Sequence, residues 1–354
     1  MAAFSSIDKA SLFQNNIIYT GTGSSNALTG VGFQSDLIWT ATRNEAEIHP
    51  INDSVNGISS YLRSNANDTL ETGQTQTITA QSSDGYTVGT EDRFNQSGNT
   101  FVSWNWKAGT SSGLSGGTIT PSAYSINTTT KFGVYKYTGN ATSGATIAHG
   151  LGVAPKFLIT KKISSTGDWH VAHQDNSAYP WNSYLYLNSS DATQESNSAT
   201  WFLNNTAPDA TNITLGNGAG INGSSTDYII YAWAPVNGYS DFGKYTGNGD
   251  SNGPMVYTGF KPSYIMIKCF STTSGGAGNW YIFDNKRIGY NIANYSSKAN
   301  DTDAEATSTY LDIYSNGFKI RNAAADLNGS SNSYLYAAFG QSLVASNGVI
   351  TTAR

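Results

Sequence analysis

Apolar residues along this chain come in short runs between polar turns, with the spacing of strands rather than helices. Leu37-Ile38-Trp39, Phe157-Leu158-Ile159 and Tyr264-Ile265-Met266 each lie five residues after a glycine: Gly32, Gly152 and Gly259. A brief apolar run that follows a Gly/Pro turn predicts a buried strand. Trp104 with Trp106, and Tyr231 with Trp233, share parity and so share a strand face, because strand side chains alternate. Asp84-Gly85, Asn222-Gly223, Asn316-Gly317 and Asn328-Gly329 mark tight turns. No stretch sustains a helical apolar period.

The pattern repeats. Tyr-Thr-Gly occurs at 19–21, 137–139 and 245–247, each time ahead of the glycine and its triplet. Pro155 and Pro262 sit between glycine and triplet in two copies, and Ser35 takes that place in the first. Later in each copy Asn95, Asn222 and Asn328 open a polar turn. Phe101, Tyr228 and Tyr334 follow six residues on, then Trp106, Trp233 and Phe339, with Trp104, Tyr231 and Ala337 between. Landmarks recurring in one order define a tandem repeat. They predict an all-β chain of three antiparallel β-sandwich modules, jelly-roll or lectin-like. The expected divisions are a first module at 1–109, a Gly/Ser/Thr-rich linker at 110–130, modules at 131–235 and 236–342, and a tail at 343–354. The linker composition predicts a tethered first module, tight packing of the other two and an elongated protein.

Composition narrows the classes. The 354 residues include 19 basic and 24 acidic ones, a net charge of −5, with 37 Gly, 22 Tyr, 14 Phe and 8 Trp. Few charges and many aromatics exclude a disordered chain. Scattered Lys and Arg argue against a nucleic-acid partner, which needs them clustered to displace counterions. No apolar run reaches membrane-span length, and the N-terminal residues lack the basic and apolar parts of a secretory signal. The single cysteine, Cys269, follows an apolar run and reads as a small, partly buried residue.

The search for chemistry yields few candidates. His149, His170 and His173 lie in the second copy, but His170 and His173 fall on opposite strand faces, and metal binding needs ligands that converge. They read as surface or turn histidines. His173 corresponds to Asp284 and Asp53, and these aspartates read as strand-closing residues that bond turn N–H groups. Asp301-Thr-Asp303-Ala-Glu305 lacks the glycine and distal glutamate of a calcium loop and reads as a solvated loop. Gly216–Gly220 and Gly247–Gly253 lack a dinucleotide fingerprint and read as hairpin loops. No nucleophile elbow or glycosidase pair is present, so no catalytic residue, metal or cofactor is expected. Tyr179, Trp181, Tyr184 and Trp201 have no counterparts in the other copies. They are the candidate ligand-binding aromatics, because such rings stack on sugars.

Tyr-Thr-Gly-Asn-Gly at 245–249, Gly-Phe-Lys-Pro-Ser-Tyr-Ile-Met-Ile-Lys at 259–268 and Ser-Asn-Gly-Phe-Lys-Ile-Arg at 315–321 resemble repeat proteins encoded by marine tailed bacteriophages. Ser83–Gly89 and Trp104-Asn-Trp106-Lys-Ala-Gly109 of the first copy fit the same pattern, although Ser35 and Thr40 replace its proline and lysine. The resemblance implies a virion structural protein without enzymatic activity, of tail-fibre or adhesin type. It would be assembled in a host cell and exposed on lysis. Its implied partners are other virion proteins, a host-surface glycan and further copies of itself, a trimer included. A capsid decoration protein is the alternative, and a polysaccharide depolymerase the third reading.

Overall fold

The computed structural model describes residues 5–178, 180–196, 198–271, 278–287, 291 and 293–344. They are nearly all β, and every ladder between strands is antiparallel. The first repeat contributes β1 (Gln14–Thr20), β2 (Asn26–Leu28), β3 (Leu37–Thr42), β4 (Pro50–Asp53), β5 (Tyr61–Arg63), β6 (Ile78–Ser82), β7 (Gly85–Val88) and β8 (Thr100–Trp106). The second has β9 (Ala123–Asn127), β10 (Phe132–Thr138), β11 (Ala145–Ala148), β12 (Phe157–Lys162), β13 (Trp169–His173), β14 (Ser183–Tyr186), β15 (Gln194–Glu195), β16 (Asn212–Leu215) and β17 (Asp227–Trp233). The third has β18 (Ser240–Thr246), β19 (Met255–Tyr257), β20 (Phe260–Ser271), β21 (Trp280–Asp284), β22 (Ala293–Lys298), β23 (Ala306–Tyr314), β24 (Gly317–Ile320) and β25 (Ser333–Ser342).

Each repeat builds the same sheet centre. The orders are β1-β8-β3-β4-β5, then β15-β14-β13-β12-β17-β10-β9, then β18-β25-β20-β21-β22-β23-β24-β19. Smaller sheets β2-β7-β6 and β11-β16 accompany the first two, whereas the third continues unbroken through β22. The three apolar triplets occupy one register. Leu37, Phe157 and Tyr264 pair with Trp106, Trp233 and Phe339 on one side and with Asp53, His173 and Asp284 on the other. Ala41, not Thr40, therefore takes the place of the buried lysines Lys161 and Lys268, each four residues into its triplet strand.

The repeated Tyr-Thr-Gly and Asn landmarks are one device. Tyr19, Tyr137 and Tyr245 donate their hydroxyls to the carbonyls of Phe94, Ile221 and Leu327, each just before the repeated asparagine. They stack on Phe101, Tyr228 and Tyr334 at centroid distances of 4.9, 5.3 and 4.9 Å. The buried Asn95, Asn222 and Asn328 carboxamides accept from the backbone N–H of Thr22, Asn140 and Asn248, each at 2.9 Å. The chain passes so close there that a Cβ on Gly21, Gly139 or Gly247 would run into the carbonyls of Gln96, Gly223 and Gly329.

Two expectations need correction. Residues 110–130 are not a free linker: they hold β9, the edge strand of the second sheet, and Thr118 and Ile119 donate to the Thr146 carbonyl of β11. The first repeat is not set apart on a tether either. Inward residues of all three large sheets share one core. Trp106, Trp233 and Phe339, which occupy the same place in each copy, form a triangle of rings 6.2, 5.7 and 6.3 Å apart. A void of only about 10 Å³ lies among them. Aromatic pairs in such edge-on arrangements add about 0.5–1.5 kcal/mol beyond their burial. Of the tail, residues 345–354 lie outside the described residues.

Candidate functional site

Hydrogen bonds close the three repeats into a ring. The Tyr231 hydroxyl of the second donates to Asp53 of the first at 2.8 Å. The Trp104 indole of the first donates to Asp284 of the third at 2.9 Å. The third position in this series, Ala337, has no donor, and there His173 of the second repeat bonds the Tyr336 carbonyl of the third at 3.1 Å. The remaining acceptor of each side chain closes its own turn. Asp53 accepts from Val55 and Asn56, Asp284 from Lys286 and Arg287, and His173 Nδ1 from Asp175. Burial raises the Asp53 carboxyl above the usual range, against the hydrogen bonds from Asn56, Tyr231 and Val55 that favour its charged form. A second ring lies four residues upstream. Trp169 donates to the Arg63 carbonyl at 2.8 Å, Trp280 to that of Tyr186 at 2.8 Å, and His49 bonds the carbonyl of Lys298.

The contact of first and third repeats is reinforced by buried charge. Arg43 makes a forked pair with Glu305 at 3.0 Å through both nitrogens, and Arg287 bridges Glu305 and Asp284 at 3.3 and 2.7 Å. Arg287 also lies over the Trp104 ring, 5.5 Å from its centroid. Glu305 is therefore no member of a solvated loop, as its sequence neighbours imply. Asp301 and Asp303 are surface residues that pair with Lys298. Every charge in the buried set has an opposite partner, the condition under which burial is tolerated.

The histidines are likewise internal rather than surface residues. His149 is fully buried and bonds the Asp209 carbonyl and the Leu151 N–H. His170 and His173 do take opposite faces. Burial lowers the pKa of His49, His170 and His173 to about 4. Among the described residues no group of three or more His, Cys, Asp or Glu is placed to hold a metal. Cys269 is free and fully buried.

In the third repeat Tyr281, the counterpart of His170, packs with Phe283 and Tyr310 in a buried cluster; in the second, His170 anchors a partly exposed one. On the outer face of β13 and β14 its ring meets Tyr184, Tyr186 and Trp201 at 5.1, 5.2 and 5.5 Å. Tyr184 lies 4.9 Å from Trp201, and Phe202 packs beneath both. Tyr184, Tyr186 and Trp201 are half-exposed, while Leu185 and Leu187 of the opposite parity point into the shared core. Of the aromatics singled out from sequence, the structure thus brings Tyr184 and Trp201 together. Trp181 is half-buried against the same outer core, and Tyr179 lies outside the described residues. Tyr186, which like them has no counterpart in the other copies, joins the cluster, and His170 was missed as a site member. The signal was the strand alternation that puts 184 and 186 on one face.

The Gly216–Gly220 segment explains how the cluster is held. A Cβ at Gly218 would fall 2.7 Å from the Trp201 ring, and one at Gly220 would penetrate the His170 ring. These glycines let the backbone pack against both rings, with His170 buried and Trp201 half-exposed. A separate cleft of about 420 Å³ runs between Leu114–Gly117 and the Gly150–Gly152 and Ala210–Asn212 loops. Its lining side chains are uncharged, and no acid or base stands beside the Ser115 and Thr211 hydroxyls among the lining residues.

A family model described as a domain of unknown function, DUF7483, matches residues 9–342. The chain belongs to this family. Its extent covers all three repeats and both rings of hydrogen bonds, so the closed arrangement lies within a single family unit. No curated protein and no solved structure matches the chain. Among the described residues no helix is long and apolar enough to cross a membrane.

Proposed function

We propose that the protein is a structural component of a bacteriophage virion, of tail-fibre or adhesin type, that touches a host-surface glycan through the Tyr184–Tyr186–Trp201 face. The observation that carries this reading is an aromatic cluster, backed by three glycines, that is half-exposed in the second repeat, whereas the cluster at the equivalent place in the third, Tyr281, Phe283 and Tyr310, is buried. Amphipathic rings with one face packed and one edge wet suit the apolar face of a sugar, with the tyrosine hydroxyls as polar handles. The virion part rests on the sequence resemblance. The finer architecture, three β-sandwich modules with lectin-like topology, belongs to the same proposal and is supported by the outer apolar clusters behind each large sheet.

Tryptophan fluorescence titrated with host envelope polysaccharide tests the glycan contact. Saturable change in the wild type that is lost in Trp201→Ala supports it, and an unchanged response in the variant overturns it. Immunogold labelling of intact virions separates tail from head, since labels over the head would establish the capsid decoration reading. Release of new reducing ends from the polysaccharide would replace the structural role with a depolymerase.

A further inference from the structure

The second and third repeats treat one strand edge differently. Ile147 of β11, Val256 of β19 and Leu28 of β2 are equivalent, since each pairs with the buried Ile213, Phe318 or Tyr86 of the neighbouring strand. The residues flanking Ile147 turn their backbone groups away from β16, towards a free edge. In the second repeat that edge is filled by the chain itself. Thr118 and Ile119 donate to the Thr146 carbonyl at 2.9 Å, Gly117 and Ile119 bridge Ile147, and the Thr118 hydroxyl accepts from the Thr146 N–H at 2.7 Å. Ile119 is buried there at 7% exposure.

In the third repeat the same edge carries Met255 and Tyr257, 43% and 70% exposed. The ladder to β24 uses Gly253, Pro254 and Thr258, whose bonds go to Ile320 and Asn316. The N–H and C=O groups of Met255 and Tyr257 thus face outward, as those of Thr146 and Ala148 do in the second repeat. Natural edges are usually blunted by charge or proline, because an open row of donors and acceptors recruits another strand. Here the edge is flanked by two large apolar side chains on one face.

We propose that β19 is a strand-addition site for a partner protein, which docks an extended segment of the chemistry seen at Gly117-Thr118-Ile119: a small residue, a threonine and a β-branched apolar residue. The partner's backbone pairs with Met255 and Tyr257, and its apolar side chain packs beside Val256 on the buried face, as Ile119 packs beside Ile147. Backbone pairing supplies affinity in such docking and the side-chain pockets supply selectivity. This interface is independent of the aromatic face of the second repeat and stands or falls separately from the glycan reading.

The probe is a synthetic peptide with the sequence of residues 113–122, added to the full-length protein and followed by hydrogen exchange. The expected result is saturable protection of amides in 255–258, by about tenfold, with no change in the Tyr184–Trp201 region. Tyr257→Pro removes an outward N–H without breaking the ladder to β24, and Met255→Lys places charge on the edge. Each should abolish the protection while the melting temperature stays within about 2 °C of wild type. Absence of protection at 255–258, protection confined to 145–148, or protection that survives both substitutions would overturn the proposal. Concentration-dependent self-association that Tyr257→Pro abolishes would assign the edge to a second copy and would also overturn it.

Discussion

Tyr231 donates a hydroxyl hydrogen bond to a carboxylate in a different repeat, and the joining of the repeats rests on such single contacts. Tyr231→Phe keeps the ring but strips Asp53 of one of the bonds that favour its charge. The expected loss is about 1–3 kcal/mol, the cost of an unsatisfied buried polar group. Chemical denaturation checks the energy, and an NMR titration should show the Asp53 carboxyl moving further up. His173 stands where the other two repeats have aspartate, because its partner is a carbonyl and demands a donor. Asp53 and Asp284 were legible in the sequence as turn-closing residues, and the turn bonds match that reading. Their second partners were not legible, since each lies 178 or 180 residues away along the chain.

The strands around the triplets were readable because each is a short apolar run bounded by glycine. Gly32, Gly152 and Gly259 adopt φ of 87°, 74° and 80°, a region open to glycine at little cost. Where the reading failed, composition misled it. Residues 110–130 are rich in Gly, Ser and Thr, yet they form β9 and cover the edge of β11, because a sheet edge accepts backbone regardless of side chain. At the Gly216–Gly220 segment the expectation of a plain loop missed a packing surface. Gly218→Ala should cost about 1–3 kcal/mol from overpacking against Trp201. It should also alter tryptophan fluorescence, with Tyr257→Pro as a control that leaves that signal unchanged.

One core spans all three sheets, so the molecule should unfold as one unit rather than repeat by repeat. Calorimetry of the wild type is expected to show a single transition. Trp106→Ala removes one corner of the aromatic triangle and should cost about 3–5 kcal/mol, shifting that transition as a whole. Two separated transitions in the variant or the wild type would contradict a shared core. The pH response follows from the same burial. His49, His170 and His173 have folded values near 4, below the ordinary 6.5, so the unfolded chain binds more protons between these limits. The stability they contribute is present above pH 6.5 and is lost as the pH falls towards 4, while Asp53, raised above 3.8, opposes this at the acid end. Lys161 and Lys268, lowered by burial from 10.5 to about 8, add stability as the pH rises from 8. Thermal melts across pH 4–9 should therefore show the midpoint climbing; a midpoint that is flat between pH 4 and 6.5 would contradict the histidine assignment.

The sequence by itself determined the repeat, its strands and the residues that must be buried, because alternation, glycine turns and aromatic spacing are local properties of the chain. Tertiary structure alone decided that the repeats form a ring. Contacts such as Trp104 with Asp284, and the meeting of Trp106, Trp233 and Phe339, join residues that no local period relates. Their partners are chosen by which face of each sheet has no other apolar surface to cover it. The same step decided that two of the four candidate aromatics meet around His170. It also left the edge of β19 open while the chain closed its counterpart at β11.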